Sequence, residues 1–566
     1  MINILDRNRK NIVYCLFILL FVVAPFYHKG NLGGTGLGLP YNITVWAAVS
    51  TIIFYSIIIL IIKKEIVFVD KIWMILSFPV LIIISSFFSG YLSANDWLIR
   101  QYFIFGGLLF LIALFQLRLK QPEIENILML VVLSMIFHAG ISVLQIIDID
   151  FFKGIIPPKA GGSASGILQQ TNVQASYLAT GIIISFYLIA RPSCKSRNGP
   201  GKTIIILAIL FCSFALSNSG SRIGVLSLLA GLFLLTAGYS KEYLKNKNMI
   251  ILALIALVLG AFLGRSGLGT AIEKGHDVVQ GGYADLRMVI YSISITIAQA
   301  EFIWGHGLGS FVKAWSQYAP QFYASHPDVQ HVPYITHPHN ELLLWYIETG
   351  LLGIIGIVLF TWKVIASLLK CGWKNGSGYL AMLIPISLHT QVELPFYISS
   401  LHWFLWLFLI FMVLQSGGIK TKIIPAYSTK LIIATSMLYG LVLFFIYDCE
   451  MARRDFYDTI KHKNLNKYEY PLQVALNNLY FQSEAERLAM RSLLYVSIKN
   501  NDKHNIGNYV EWAEGYIKAK PELKIHEDMS KAYTLLNMKQ KKCQVVKDGL
   551  YIYEESDVLL KNSSGC

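Results

Sequence analysis

Over its first 447 positions the chain alternates long apolar runs with short polar segments. Beyond them it turns polar, with apolar residues recurring at helical spacing. A helix needs roughly 20 apolar residues to cross a hydrocarbon core about 30 Å thick. Thirteen runs meet or approach that length, centred on Ile12 to Tyr27, Ile43 to Ile62, Ile72 to Phe88, Trp97 to Phe115, Ile124 to Ile147, Ala175 to Ala190, Thr203 to Leu216, Arg222 to Gly238, Met249 to Leu263, Leu342 to Leu368, Tyr379 to Leu394, Leu401 to Leu414 and Lys430 to Tyr447. The seventh and eleventh are short. The first run follows Arg7, Arg9 and Lys10 as a signal peptide would, but no small-residue cleavage site follows it, so it reads as a retained anchor. The pattern predicts an all-α polytopic membrane protein of about 12–14 transmembrane helices, with a membrane domain over 1–447 and a helical domain over 448–566.

Three segments interrupt the apolar series on one side of the membrane. Gly30 to Asn42 (GNLGGTGLGLPYN) is too glycine-rich for helix and reads as a turn. Asp148 to Asn172 carries Pro157, Pro158, Gly161 and Gly162 before GILQQTN. Gly264 to Gly350 spans 87 residues and holds six of the thirteen histidines; loops this long in a compact protein are usually functional. In the tail, AERLAMRSLLYVSI followed by NYVEWAEGYIKAKPE suggests paired antiparallel helices of tetratricopeptide type, although two units do not make a repeat.

Composition agrees with this division. Hydrophobic residues make up 55% and charged residues 14% of the chain, against about a quarter charged in soluble domains, which excludes an ordinary soluble enzyme. The net charge of +14 raises nucleic acid, anionic lipid and anionic substrate as partners. Its placement decides among them. One set of connecting segments in the membrane region holds 21 Lys and Arg, among them Arg197, and the opposite set nine, among them Lys153 and Lys274. This bias orients the protein, with the basic side cytoplasmic, and no nucleic-acid partner is needed to account for it. With thirteen spans the tail emerges on the outer side. Seven scattered cysteines without CxxC spacing indicate no disulfide framework.

The densest chemistry is Thr336-His337-Pro338-His339-Asn340-Glu341, directly before the run LLLWYIETGLLGIIG. Pro338 fits the first turn of a helix, with Asn340 or Thr336 as its cap. A helix N-terminus disfavours a protonated imidazole, so His339, at the outer mouth of a spanning helix, is expected to be neutral and able to act as a general base; the bland alternative is that both imidazoles merely cap the helix. A zinc set drawn from His326, His331, His337 and His339 has no supporting Cys or acid spacing, and no metal is expected. Arg222 in SNSGSRIG and Arg287 in GGYADLRMVIYSIS stand on the sparsely charged outer side, where guanidinium forks suit a phosphate or snorkel to head groups. His389 and Glu393 in LHTQVELPFY, four residues apart, are placed on one helix face as cavity supports. Gln169, Gln170 and Asn172 read either as sugar or phosphate contacts or as helix caps.

These residues resemble a known family. His339-Asn340, nine residues, Gly350, two residues and Gly353 fit the H-[N/S/Q]-x9-G-x-x-[G/T/Y] signature of the O-antigen ligase superfamily. Arg222 in SGSR and Arg287 upstream of GHGLGSF resemble its two pyrophosphate-binding arginines. The likeness runs from about Gly154 to Leu414. YHKGNLGGTGLGLPYNITVW and LHTQVELPFY are similar to segments of bacterial pilin-type protein O-oligosaccharyltransferases. The resemblance implies a multi-pass inner-membrane glycosyltransferase with a large periplasmic loop and a periplasmic helical tail. Its donor would be a glycan on undecaprenyl pyrophosphate drawn from membrane lipid, and its acceptor a periplasmic protein such as a pilin. His339 would be the base with His337 beside it, Arg222 and Arg287 the pyrophosphate ligands, and Gln169, Asn172, Asn340, His389 and Glu393 the supports. No cofactor is implied. O-antigen ligase or O-antigen polymerase activity is the rival within the family. Outside it, a transporter would place its polar residues near mid-membrane, and a non-catalytic scaffold would leave the histidine signature unexplained.

Overall fold

The computed structural model describes residues 2–90, 94–152, 154–159, 163–196, 199–267, 283–332, 334–423, 429–462, 472–564 and 566. Lys153, Gly161, Gly162, Arg197 and Lys274 lie outside the described residues. The main helices are α1 (Ile2–Ile18), α2 (Pro40–Lys63), α3 (Trp73–Ser89), α4 (Ala94–Gln116), α5 (Gln121–Ile147), α6 (Thr171–Ile189), α7 (Gly199–Asn218), α8 (Arg222–Lys245), α9 (Lys247–Leu263), α10 (Tyr283–Ala300), α11 (Phe311–Ser325), α12 (Glu341–Lys370), α13 (Gly372–His389), α14 (Ser400–Ser416), α15 (Thr429–His462), α16 (Gln482–Lys499), α17 (Lys503–Ala519), α18 (Leu523–Leu535), α19 (Lys539–Ile552) and α20 (Asp557–Ser563).

Each of the thirteen apolar runs falls on a helix. Among the described residues nine helices are long and apolar enough to cross a membrane, while α3, α9 and α14 are apolar but 17 residues long. The protein is an all-α polytopic membrane protein. Its one sheet among the described residues, absent from the sequence reading, is a two-stranded antiparallel ribbon of Glu65–Val69 and Ile419–Ile423, with Glu65 opposite Ile423. Contacts divide the chain into two compact units, each assembled from three stretches.

The first unit comprises Met1–Ser77, Phe103–His276 and Val358–Glu450. Helix α6 is its central shaft, with every residue from Val173 to Ile189 buried, packed against α5, α7, α8 and α13. Gly224 lets α8 approach it: a β-carbon there would stand 2.8 Å from the β-carbon of Ala175. Buried or half-buried ion pairs, Arg9 with Glu123 at 2.7 Å and Arg191 with Glu125 at 2.7 Å, fasten basic segments to α5.

The second unit comprises Phe78–Tyr102, Asp277–Ile357 and Met451–Cys566. The tail helices α16 to α20 each pack on the next around a core that includes Leu494, Tyr509, Ile525, Tyr533 and Val546. The tail also packs on the rest of its unit. Helix α19 meets α11, Asn95 Nδ2 donates to Gln482 Oε1 at 2.7 Å, and Lys520 pairs with Asp96 at 3.7 Å. Cys543 and Cys566 form a disulfide here, correcting the sequence reading. Two cysteines 23 residues apart carry no motif, and only folding of the tail brings their Cα atoms to 5.3 Å.

Candidate active site

In the second unit, the segment before α12 carries the paired imidazoles. Asn340 is the cap of α12: its Oδ1 accepts the Leu343 amide at 3.0 Å, and its carbonyl accepts the Leu344 amide at 3.0 Å. Pro338 lies before the cap and is not in the first turn, a correction with a local cause. His339 takes a left-handed φ of 53°, which turns the chain sharply between Pro338 and Asn340. A histidine in that region is uncommon and costs on the order of 1–2 kcal/mol, and such residues concentrate at functional sites. The rings of His337 and His339 stand 4.4 Å apart, and Thr336 Oγ1 lies 2.9 Å from His337 Nδ1. His326 and His331 are instead stacked on α11, against Phe322 at 4.2 Å and Tyr323 at 4.1 Å, and belong to no metal-binding group among the described residues.

The signature glycine has a structural reason. Helix α12 is broken at Gly350, whose φ of 60° and ψ of −156° are not helical, and the break frees backbone groups that must find partners. The loop after α10 supplies them. Phe302 carbonyl accepts the Leu351 amide at 2.8 Å, His306 amide donates to Ile347 carbonyl at 2.8 Å, and Gly307 amide donates to Glu348 carbonyl at 3.0 Å. GHGLGSF is therefore the counterpart of the break, with Gly305, Gly307 and Gly309 all at positive φ. The Glu348 side chain, almost wholly buried, pairs with Arg100. Arg100 is thus engaged in structure. Arg287, half-buried on α10, has no hydrogen-bonding or charged partner among the described residues. Sequence reasoning missed Glu348, although its place two residues before Gly350 was a signal.

In the first unit, the other arginine begins α8. Ser221 caps that helix by accepting the Gly224 amide at 3.3 Å and donates its own hydroxyl to Asn172 Oδ1 at 2.9 Å. Asn172, in the first turn of α6, thereby fixes the turn that presents Arg222 at an exposed position. The preceding loop hangs on Gln145, which the sequence reading passed over. Its Nε2 donates to Pro157 carbonyl at 2.8 Å, and its Oε1 accepts the amides of Ser165 and Gly166 at 3.0 and 2.9 Å. Near the end of that loop Gln169 is left-handed at φ 59°. Buried polar atoms of Ser165, Gln169, Gln170 and Gln174 have no protein partner among the described residues.

His389 and Glu393 do not share a helix face. Helix α13 stops at His389 and a short helical turn begins at Pro395, and Glu393 lies between them, buried. His389 Nδ1 lies 2.8 Å from Ser176 Oγ, which also stands 3.2 Å from His402 Nε2. This wholly buried knot joins α6, α13 and α14, and neither Ser176 nor His402 was marked by any motif.

Three families match the chain: O-antigen ligase over residues 205–358, virulence factor membrane-bound polymerase, C-terminal, over 379–563, and protein glycosylation ligase over 164–189. Together the matches support a likeness to the O-antigen ligase superfamily. Its ligase match contains Arg222, Arg287, His337, His339 and Gly350, and its glycosylation-ligase match contains Gln169, Asn172 and Ser176. No curated protein sequence matches the chain. The matched families indicate a glycosyltransferase-like enzyme in this multi-pass membrane protein and imply a lipid-linked glycan donor and a protein or polysaccharide acceptor.

Proposed function

We propose that the protein is an O-oligosaccharyltransferase of the bacterial inner membrane that transfers glycan from undecaprenyl pyrophosphate to Ser or Thr hydroxyls of a periplasmic protein such as a pilin. The observation that carries this reading is His339, held left-handed one residue before the cap of α12 with the His337 ring 4.4 Å away. His339 removes the proton of the acceptor hydroxyl as its oxygen attacks the anomeric carbon. The bond to the pyrophosphate oxygen breaks in the same displacement, so the configuration inverts. Arg222 and Arg287 take the charge that grows on the leaving pyrophosphate, where bidentate guanidinium contacts are strongest. The unpaired polar atoms around Gln169 suit the hydroxyl groups of a sugar, and Asn172 holds the turn bearing Arg222.

The polymerase match over 379–563 favours a second reading, extension of a lipid-linked glycan by the same chemistry. Mass spectrometry of periplasmic proteins, set beside lipopolysaccharide banding, separates the two in cells with and without the gene. Glycopeptides that vanish on deletion support protein glycosylation. Unchanged glycopeptides with shortened or lost polysaccharide overturn it.

A further inference from the structure

From the Cys543–Cys566 disulfide we infer that the tail is an oxidatively closed domain, matured outside the cytoplasm by a thiol–disulfide oxidoreductase, and that the loop bearing His337 and His339 faces the same oxidising compartment. Pairing is confined to the tail among the described residues. Cys15, Cys212 and Cys371, in the membrane region, are free thiols. Disulfides form and persist in secreted, surface and periplasmic settings and are rare where glutathione and thioredoxin keep thiols reduced.

The bond adds a covalent tie to the contacts that hold the last helix on the tail. Helix α20 has seven residues, too few to be stable alone. Its hold on the tail comes from Leu559, fully buried against Gly549 and His526, from Ser556, which caps the helix by accepting the Leu559 amide, and from the Ser556 hydroxyl donating to Glu527 at 3.1 Å. The disulfide ties the segment after α20 to α19, the helix that packs on α11. Closing the tail therefore stiffens the face it presents to the outer loop.

The same contacts carry the sidedness across. Asn95 and Asp96 meet Gln482 and Lys520, and Tyr334, three residues before His337, lies within electrostatic reach of Glu484, Arg487 and Glu522. A tail packed on the start of α4 and on this loop stands on the same side of the membrane as both. This holds whatever the number of spans between them.

The closing step is balanced by the partner. One tail thiolate attacks the oxidoreductase disulfide to give a mixed disulfide, the second tail thiolate displaces it, and the oxidoreductase leaves as a dithiol carrying the two electrons and two protons.

The test labels full-length protein in intact spheroplasts with a membrane-impermeant maleimide and reads each cysteine peptide by mass spectrometry. Expected in the wild type is no label on Cys543 or Cys566 until an impermeant reductant is added from outside, then label on both. In cells lacking the oxidoreductase, the oxidised fraction should fall at least tenfold. In C543S, Cys566 should label from outside without reductant. Tail thiols that label only after lysis would overturn the inference, as would wild-type thiols that label without reductant. The wild-type arm does not depend on the variant folding, and none of the readouts uses transfer activity, so failure here is distinct from failure of the proposed reaction.

Discussion

A β-carbon built on Gly350 would stand 2.4 Å from the carbonyl oxygen of Ile303. The residue also holds φ 60° and ψ −156°, a combination open almost solely to glycine and costing other residues on the order of 1–3 kcal/mol. Gly350→Ala therefore meets strain and a backbone clash that no rotamer relieves. Its thermal unfolding midpoint in detergent should fall by several degrees and transfer should fall with it. Gly353→Ala, whose new methyl would meet the Thr349 side chain rather than backbone, should cost less. Equal midpoints for Gly350→Ala and wild type would remove this account of the signature glycine.

His339 is tested by two substitutions with different backbone costs. Asparagine tolerates the left-handed region that His339 occupies but offers no base. His339→Asn should fold like the wild type and lose transfer by about 10²–10⁴-fold, and His339→Ala should lose it as fully with some added instability. Transfer by His339→Asn within a factor of a few of wild type would assign the imidazole no part in the proton transfer.

The Asn172–Ser221 hydrogen bond makes a separate prediction for the donor. Ser221→Ala removes the cap of α8 and should cost about 1 kcal/mol. Asn172→Ala leaves the cap able to form and should cost less. Both loosen the turn before Arg222, so both should raise KM for the lipid-linked donor more than they lower kcat, and Ser221→Thr should restore it. A fall in kcat with KM unchanged would place these residues elsewhere in the reaction.

Much of this architecture was legible because hydrocarbon imposes a simple rule. A spanning helix must be long and apolar, so the helices of the membrane region could be found as apolar runs, nine of which among the described residues are long and apolar enough to cross. The signature around His339 was legible because its spacing is fixed by the break at Gly350 and the loop docked on it. What escaped reading were relationships across long sequence distances. Gln145 binds a loop 12 to 21 residues away, Ser176 meets His389 and His402 more than 200 residues on, and Arg100 finds Glu348. Such polar pairs leave no periodic trace. Pro338 and Glu393 were misplaced for a local reason: each sits beside a helix end, just outside the helical register.

Arg287 has no partner to lose among the described residues, so removing its charge should leave stability within about 0.5 kcal/mol of wild type. Arg287→Ala should nonetheless raise donor KM at least tenfold, and Arg287→Lys should recover part of it, because an ammonium keeps the charge without the fork. Binding titration with undecaprenyl pyrophosphate checks this directly. Unchanged affinity in Arg287→Ala would return Arg287 to the head-group region as a snorkelling side chain.

The tail offers a prediction in pH. His526 is 2% exposed, with its Nδ1–H donating to the Glu522 carbonyl at 3.0 Å, and burial holds its pKa below the ordinary 6.5. The unfolded chain takes up a proton near pH 6.5 while the folded tail resists until lower pH. In that window the unfolded state binds more protons, so stability is fully present above about pH 6.5 and declines as pH falls towards the folded value. The tail carboxylates held low by hydrogen bonds, Asp502 to Asn505 and Glu514 to Lys541, add their own loss only below about pH 4.5. Thermal melts of the full chain at pH 7.5 and 5.5, followed by protease protection of the tail, should therefore show a lower midpoint in acid for the wild type and a smaller difference for His526→Leu, which keeps an apolar group in the site. An equal acid shift in both proteins would trace the effect to other groups.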